Sequence, residues 1–171
     1  MDAAEQITSF EQIWQLQSEL NARAGIDTRQ LGRQFRQAEV AAGAEDGPAR
    51  DADDAKRLAE LRVTVGRWIK NYLDALSAEC QEIQDTLHWK HWYKEAKAGR
   101  QYELHDLQNA RVEVTDMLFF WASLCQLLGL EVEDVFRLYA KKLGINHRRQ
   151  DEKRTQAEHG SHEDENRSVT L

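Results

Sequence analysis

The chain has 171 residues, one proline, nine glycines and a net charge of −7. So few breakers among so much Ala, Leu, Glu, Gln and Arg predict an all-α helical bundle, long enough to bury a core. The acidic balance argues against a nucleic-acid backbone as partner, and two cysteines without Cys-x-x-Cys or Cys/His spacing argue against a disulfide scaffold or a zinc site. Cys80 and Cys125 read instead as buried, reduced thiols.

A first helix is expected from about Ser9 to Ala24, with Phe10, Ile13, Trp14, Gln17, Leu20 and Asn21 on one face. Gln17 and Asn21 interrupt the apolar part of that face. Inward amides need partners, either a nearby helix end or a ligand, and periodicity alone favours the helix end. Gly25-Ile-Asp-Thr breaks the helix, and Asp27 or Thr28 can cap a second one running to about Ala42. With only Leu31, Phe35 and Val40 as clear anchors, this second helix reads as a surface element. Gly43 to Asp54, with Gly-Pro at 47–48, is the clearest loop.

From about Asp54 to Leu87 a long helical stripe follows: Leu58, Leu61, Val65, Trp68, Ile69, Tyr72, Leu76, Cys80 and Ile83. Gly66 is where it could bend. Near its end stand Glu79 and Glu82, where the helix dipole disfavours acids. His88-Trp-Lys-His-Trp-Tyr-Lys94 is a dense aromatic and basic segment. Such a segment can pack over the core or close over a base and its phosphates. A polar connector leads to Asn109–Gly129, read as one helix that is apolar on nearly every face from Met117 to Leu128. A helix of that kind needs cover on every side, which a partner subunit can supply. Glu113 and Asp116 sit at its mouth, three residues apart on one face.

Two helices that each carry carboxylates at i and i+3 can face each other and build an all-oxygen nest for Mg²⁺. Beyond Gly129 a last helix begins at Val132 and runs into Lys141-Lys-Leu-Gly-Ile-Asn-His-Arg-Arg-Gln-Asp151. That basic run suits either a solvated helix end or a phosphate clamp. Residues 151–171 read as a disordered charged tail behind a single domain over 1–150. The Met-Asp-Ala-Ala-Glu start lacks the basic and apolar regions of a signal peptide, and 117–128 is short for a bilayer. A cytoplasmic protein without a membrane partner is therefore expected.

These pieces, in this order, resemble the dimeric dUTPases, part of the all-α nucleoside triphosphate pyrophosphatase superfamily that includes MazG-like enzymes. Gln17-Ser-Glu-Leu-Asn21 resembles the family's base-reading motif, Glu79-Cys-Gln-Glu82 its ExxE and Glu113-Val-Thr-Asp116 its ExxD. Trp89-Lys-His-Trp92 resembles a WKWW segment, with His91 for an aromatic. Phe119-Phe120 stands where the family has His-Phe. Tyr139-Ala-Lys-Lys142, Asn146 and Arg149-Gln-Asp151 match the C-terminal phosphate and sugar motif, although Glu152-Lys-Arg follows where Gly-Tyr is usual. The resemblance skips much of 28–65 and so implies a variable insertion over 28–60 that carries the 43–54 loop.

The resemblance implies a homodimer or higher homo-oligomer that hydrolyses a deoxynucleoside triphosphate, dUTP first, to the monophosphate and pyrophosphate. Glu79, Glu82, Glu113 and Asp116 would hold two or more Mg²⁺ ions, for which Mn²⁺ can substitute, with Glu79 as the base for water. Lys142 and Arg149 would neutralise phosphates and Asn146 contact the sugar. Gln17 and Asn21 would read the base, Trp92 and Phe120 pack its face, and Trp89 and Lys90 complete the substrate contacts. The same chemistry on a purine deoxynucleotide is the close alternative. A non-catalytic helical binding or oligomerisation protein is the alternative of another class, disfavoured because all four carboxylates are present.

Overall fold

The computed structural model describes residues 7–43, 52–151 and 165–170. Among the described residues there are five α-helices, α1 Phe10–Arg23, α2 Thr28–Ala42, α3 Ala52–Asp85, α4 Leu107–Leu127 and α5 Val132–Asp151, with a short π-helical turn at Ala96–Arg100 between α3 and α4. The protein is all-α, a helical bundle. Among the described residues the nearest thing to a sheet is one isolated antiparallel bridge, Leu87 to Leu104. Side chains close the starts of α1, α2 and α4, of which the sequence predicts the Asp27 cap. Ser9 and Gln12 form a reciprocal capping box on α1. The Asp27 carboxylate accepts from Gln30 N at 2.8 Å on α2, and Asp106 accepts from Asn109 N at 3.0 Å on α4.

The chain divides into two compact units at Gly129–Leu130, so the expected single domain over 1–150 spans that boundary. In the first unit α3 pairs with α4, α2 packs on both, and α1 lies against α4 and α2. Ile26, Val65 and Leu127 form one core cluster, with Leu31, Phe35, Trp68, Ile69 and Tyr72 packed around it. Ala38, Ala42 and Leu58 form another. Trp14 is fully buried, with its ring 6.2 Å from Trp121 and 6.0 Å from Phe10.

Three expectations are corrected. The second helix, α2, is not a surface element: Thr28, Gly32, Ala38 and Ala42 are its buried strip. α3 runs unbroken for 34 residues through Gly66, where an added Cβ would meet nothing within 4 Å. Cys80 is exposed, while Cys125 is buried and its thiol is pushed up to about 12 by that burial. The apolar run of α4 is covered only in part. Ala122, Ser123, Cys125, Gln126 and Leu127 are buried, but Phe119, Trp121 and Leu128 stand open. Within the expected 43–54 loop, residues 44–51 lie outside the described residues, as do 152–164 of the expected tail. No single helix among the described residues is long and apolar enough to cross a membrane.

The α2–α4 crossing is set by a glycine. A Cβ on Gly32 would fall 1.8 Å from the carbonyl oxygen of Gln126 and 2.8 Å from the Gly129 nitrogen. Backbone meets backbone there, and nothing at the contact can rotate away. Gly32→Ala should therefore lower the urea unfolding free energy by at least the ~1–3 kcal/mol typical of overpacking. Gly66→Ala, in open space in a helix interior, should raise it by about 0.5–1 kcal/mol. Equal effects of the two substitutions would disprove the crossing.

Candidate active site

Glu79 and Glu82 lie one turn apart on α3, and Glu113 and Asp116 one turn apart on α4. Pairing of the two helices brings these turns together. One carboxylate oxygen each from Glu79, Glu82 and Glu113 lies within 4.8 Å of the others. Glu113 is buried. Asp116 joins the group electrostatically, because its charge acts on Glu79. Burial first, then a hydrogen bond with Glu113 and the charges of Glu82, Glu113 and Asp116 hold the Glu79 carboxyl above its ordinary value. Among the described residues no lysine, arginine or histidine pairs with any of the four. Crowded carboxylates without a basic partner, offering only oxygen, fit a hard divalent cation.

Beside this nest opens a cavity of about 370 Å³, lined by Gln17, Leu20, Asn21, Ala24, Tyr72, Glu79, Asp116, Phe119 and Phe120. Five residues that the sequence nominates thus meet at one place: Gln17, Asn21, Glu79, Asp116 and Phe120. Sequence reasoning missed Tyr72 as a wall, assigning it to the core stripe. Its spacing of seven from Glu79 on α3 puts both on one helix face, which was the available signal. The Tyr72 ring sits 6.3 Å from that of Phe120. An apolar groove of about 420 Å³ between α1 and α4 shares Gln17, Leu20 and Phe119 with the cavity.

The amides of Gln17 and Asn21 are held from behind. Gln17 Nε2 donates to Asn21 Oδ1 at 2.9 Å and to Ser123 Oγ at 3.1 Å. Asn21 Nδ2 donates to Thr28 Oγ1 at 3.0 Å and to Ser123 Oγ at 2.9 Å. Thr28 in turn donates to Gln126 Oε1 at 2.6 Å, and Gln126 Nε2 to the Trp14 carbonyl at 2.8 Å. Ser123 donates to the Phe119 carbonyl at 2.8 Å, and burial pushes the nearby Tyr72 hydroxyl above its ordinary value. The two amides thus bond each other and the side chains of Thr28 and Ser123 rather than a helix-end backbone group, and both residues also line the cavity. Among the described residues no hydrogen bond reaches Gln17 Oε1.

Trp89, Lys90 and Trp92 are not among the residues lining this cavity. They lie in the α3–α4 connection, where Trp89 Nε1 donates to Asp85 Oδ1 at 3.0 Å. The rings of Trp89 and Trp92 meet at 6.1 Å, and Lys90 lies 5.3 Å from the Trp89 ring. The aromatic segment is stabilised within itself, with His88 stacked on His105 at 4.4 Å at the base of the connection. Lys142, Asn146 and Arg149 share one face of α5 in the second unit, where Arg149 pairs with Glu165 at 2.7 Å. Compared with family models, with characterised proteins and with solved structures, the chain finds no match.

The raised Glu79 has a consequence for stability. A carboxyl whose folded value exceeds its unfolded one stabilises the fold below the ordinary glutamate range, and that contribution is lost as pH rises through the raised value. In chelator, the melting temperature of Glu79→Gln relative to wild type should therefore climb as pH rises from the ordinary glutamate range toward neutrality. A difference that stays constant across the titration would show that the carboxylates do not interact.

Proposed function

We propose that this chain is a Mg²⁺-dependent pyrophosphohydrolase of deoxynucleoside triphosphates, with the resemblance to dimeric dUTPases and MazG-like enzymes as its family reading. The observation that supports this most is the meeting of Glu79 and Asp116 with Gln17, Asn21 and Phe120 around one cavity, next to the Glu79–Glu82–Glu113 oxygen cluster. Acid groups for metal and triphosphate, and a part-aromatic recess for a base, adjoin each other.

In this reading Glu79, Glu82, Glu113 and Asp116 hold the metal, which when bound neutralises charge on the triphosphate and lowers the pKa of water. Glu79, the base assigned from the resemblance, would accept a proton from the attacking water. The water oxygen bonds to the α-phosphorus as the bond to the bridging oxygen breaks. Nucleoside monophosphate and pyrophosphate are the products. Phe120 and Tyr72 supply ring faces for the base. Lys142 and Arg149 carry the charge for the phosphates and Asn146 a contact for the sugar, roles assigned from the resemblance. A second copy of the chain is the partner proposed for the exposed Phe119 and Trp121 of α4.

We put dUTP first, because Gln17 and Asn21 stand at the cavity. A second reading, the same chemistry on another base, is favoured by one observation. Every polar atom of the Asn21 side chain is already engaged inside the protein. A panel of dUTP, dCTP, dTTP, dGTP and dATP with Mg²⁺, read by chromatography, separates the readings. Fastest conversion of dUTP to dUMP and pyrophosphate is expected. Hydrolysis of a purine triphosphate with dUTP ignored would replace the base assignment and leave the chemistry.

Glu82→Gln and Asp116→Asn should each cut kcat/KM by more than about 100-fold, since even outer-shell metal partners are worth 10–100-fold. Both should melt no lower than wild type in chelator, because they relieve like-charge repulsion. Mg²⁺ should raise the wild-type melting temperature by linkage and lose that effect in the variants. Full activity in either variant would end the metal-nest reading.

A further inference from the structure

Lys142, Asn146 and Arg149 recur at i, i+4 and i+7 on α5, so they form one continuous face. That face already has an occupant. Glu165 Oε2 accepts from Arg149 through Nε and through Nη2, each at 2.7 Å. The two side chains are only 16% and 25% exposed, so the pair is partly shielded from water and salt. Two turns back along α5, Lys142 Nζ donates to the Asn166 side-chain oxygen, and Lys141 Nζ donates to the Thr170 carbonyl. Three cations of one helix each meet an oxygen of residues 165–170.

The segment is locally folded rather than draped. Residues 165–167 make a helical turn, Ser168 Oγ donates to the Glu165 carbonyl at 2.6 Å, and Val169 N donates to the Asn166 carbonyl at 3.1 Å. The turn sets the Glu165 carboxylate against the Arg149 guanidinium fork and the Asn166 amide oxygen against the Lys142 ammonium group. A guanidinium fork and ammonium groups ranged along one helix are donors suited to the oxygens of a polyphosphate.

We propose that residues 165–170 are an internal competitor for a polyphosphate-binding face on α5, with Glu165 standing where a phosphate oxygen binds. The segment lowers the affinity of that face for polyphosphate anions, because an incoming anion must displace it. Its consequence for catalysis rests on the pyrophosphohydrolase reading above; the anion site does not.

The test uses the full chain and inorganic pyrophosphate without divalent metal, titrated by calorimetry at low salt. Glu165→Gln, which keeps the shape and removes the charge, should bind pyrophosphate about three- to tenfold more tightly, as expected for loss of one partly shielded charge-assisted hydrogen bond. Asn166→Ala, which frees Lys142 without changing charge, should move the affinity in the same direction by less. Glu60→Gln, an exposed acid on α3, controls for net charge and should change nothing. Arg149→Ala added to Glu165→Gln should erase the gain. Unchanged affinity in both Glu165→Gln and Asn166→Ala, or an equal gain in Glu60→Gln, overturns the competitor.

A parallel assay with dUTP and Mg²⁺ separates the two proposals. A lower KM at unchanged kcat in Glu165→Gln supports both. Tighter pyrophosphate with no nucleotide hydrolysed keeps the competitor and removes the enzymatic reading. Hydrolysis with pyrophosphate affinity unmoved does the reverse.

Discussion

Gln17, Asn21, Thr28, Ser123 and Gln126 place five hydrogen-bonding side chains in the interior where α1, the start of α2 and the end of α4 meet. Each finds a partner in another member or in a backbone carbonyl. A buried polar network is costly when half made and specifying when complete, since only one arrangement of the helices satisfies it. Here it fixes the rotation of α1 about its own axis. With α1 so turned, Gln17, Leu20, Asn21 and Ala24 face the cavity and Trp14 enters the core. Gly32 acts beside this network by letting α2 approach the end of α4 at backbone distance, which keeps Thr28 within reach of both Asn21 and Gln126.

The carboxylates impose the opposite kind of constraint. Packing α3 on α4 brings Glu79, Glu82 and Glu113 within 4.8 Å, a contact that opposes folding when all three are ionised. Burial first, and then the neighbouring carboxylates, hold the Glu79 carboxyl above its ordinary value. The bundle tolerates it because α3 and α4 are held together elsewhere, through Val65, Leu127 and the rings around them. Stability in one part of the helix pair thus sustains electrostatic tension in another. A cation would relieve that tension, and a proton relieves part of it.

The basic face of α5 reverses the charge pattern of an acidic chain. Its cations meet oxygens from residues 165–170, so part of its positive charge is balanced within the protein. Acid clusters on α3 and α4, whereas the basic groups of α5 are paired with oxygens.

Periodicity and composition were enough for the all-α class, because an amphipathic stripe and a scarcity of breakers are local properties. Caps at Ser9, Asp27 and Asp106 are equally local, each acting within three residues of itself. The paired carboxylates were legible for the same reason, since spacing along one helix fixes the face they share. What α2 does was not legible. Its buried strip is Thr, Gly and Ala, which carry little hydrophobic signal and matter through how closely they let a neighbour approach. Nor could the sequence decide the direction of the Gln17 and Asn21 amides, whose shared partner Ser123 lies about a hundred residues away. The aromatic segment at Trp89–Trp92 was ambiguous for a related reason. Composition suits it equally to stacking on a ligand or on itself, and its contacts with Asp85 and within itself come from the path of the connection from Asp85 to Leu107. Tertiary structure decides whatever depends on a partner distant in the chain, because hydrogen-bond valence and close packing are satisfied in space and not along the sequence.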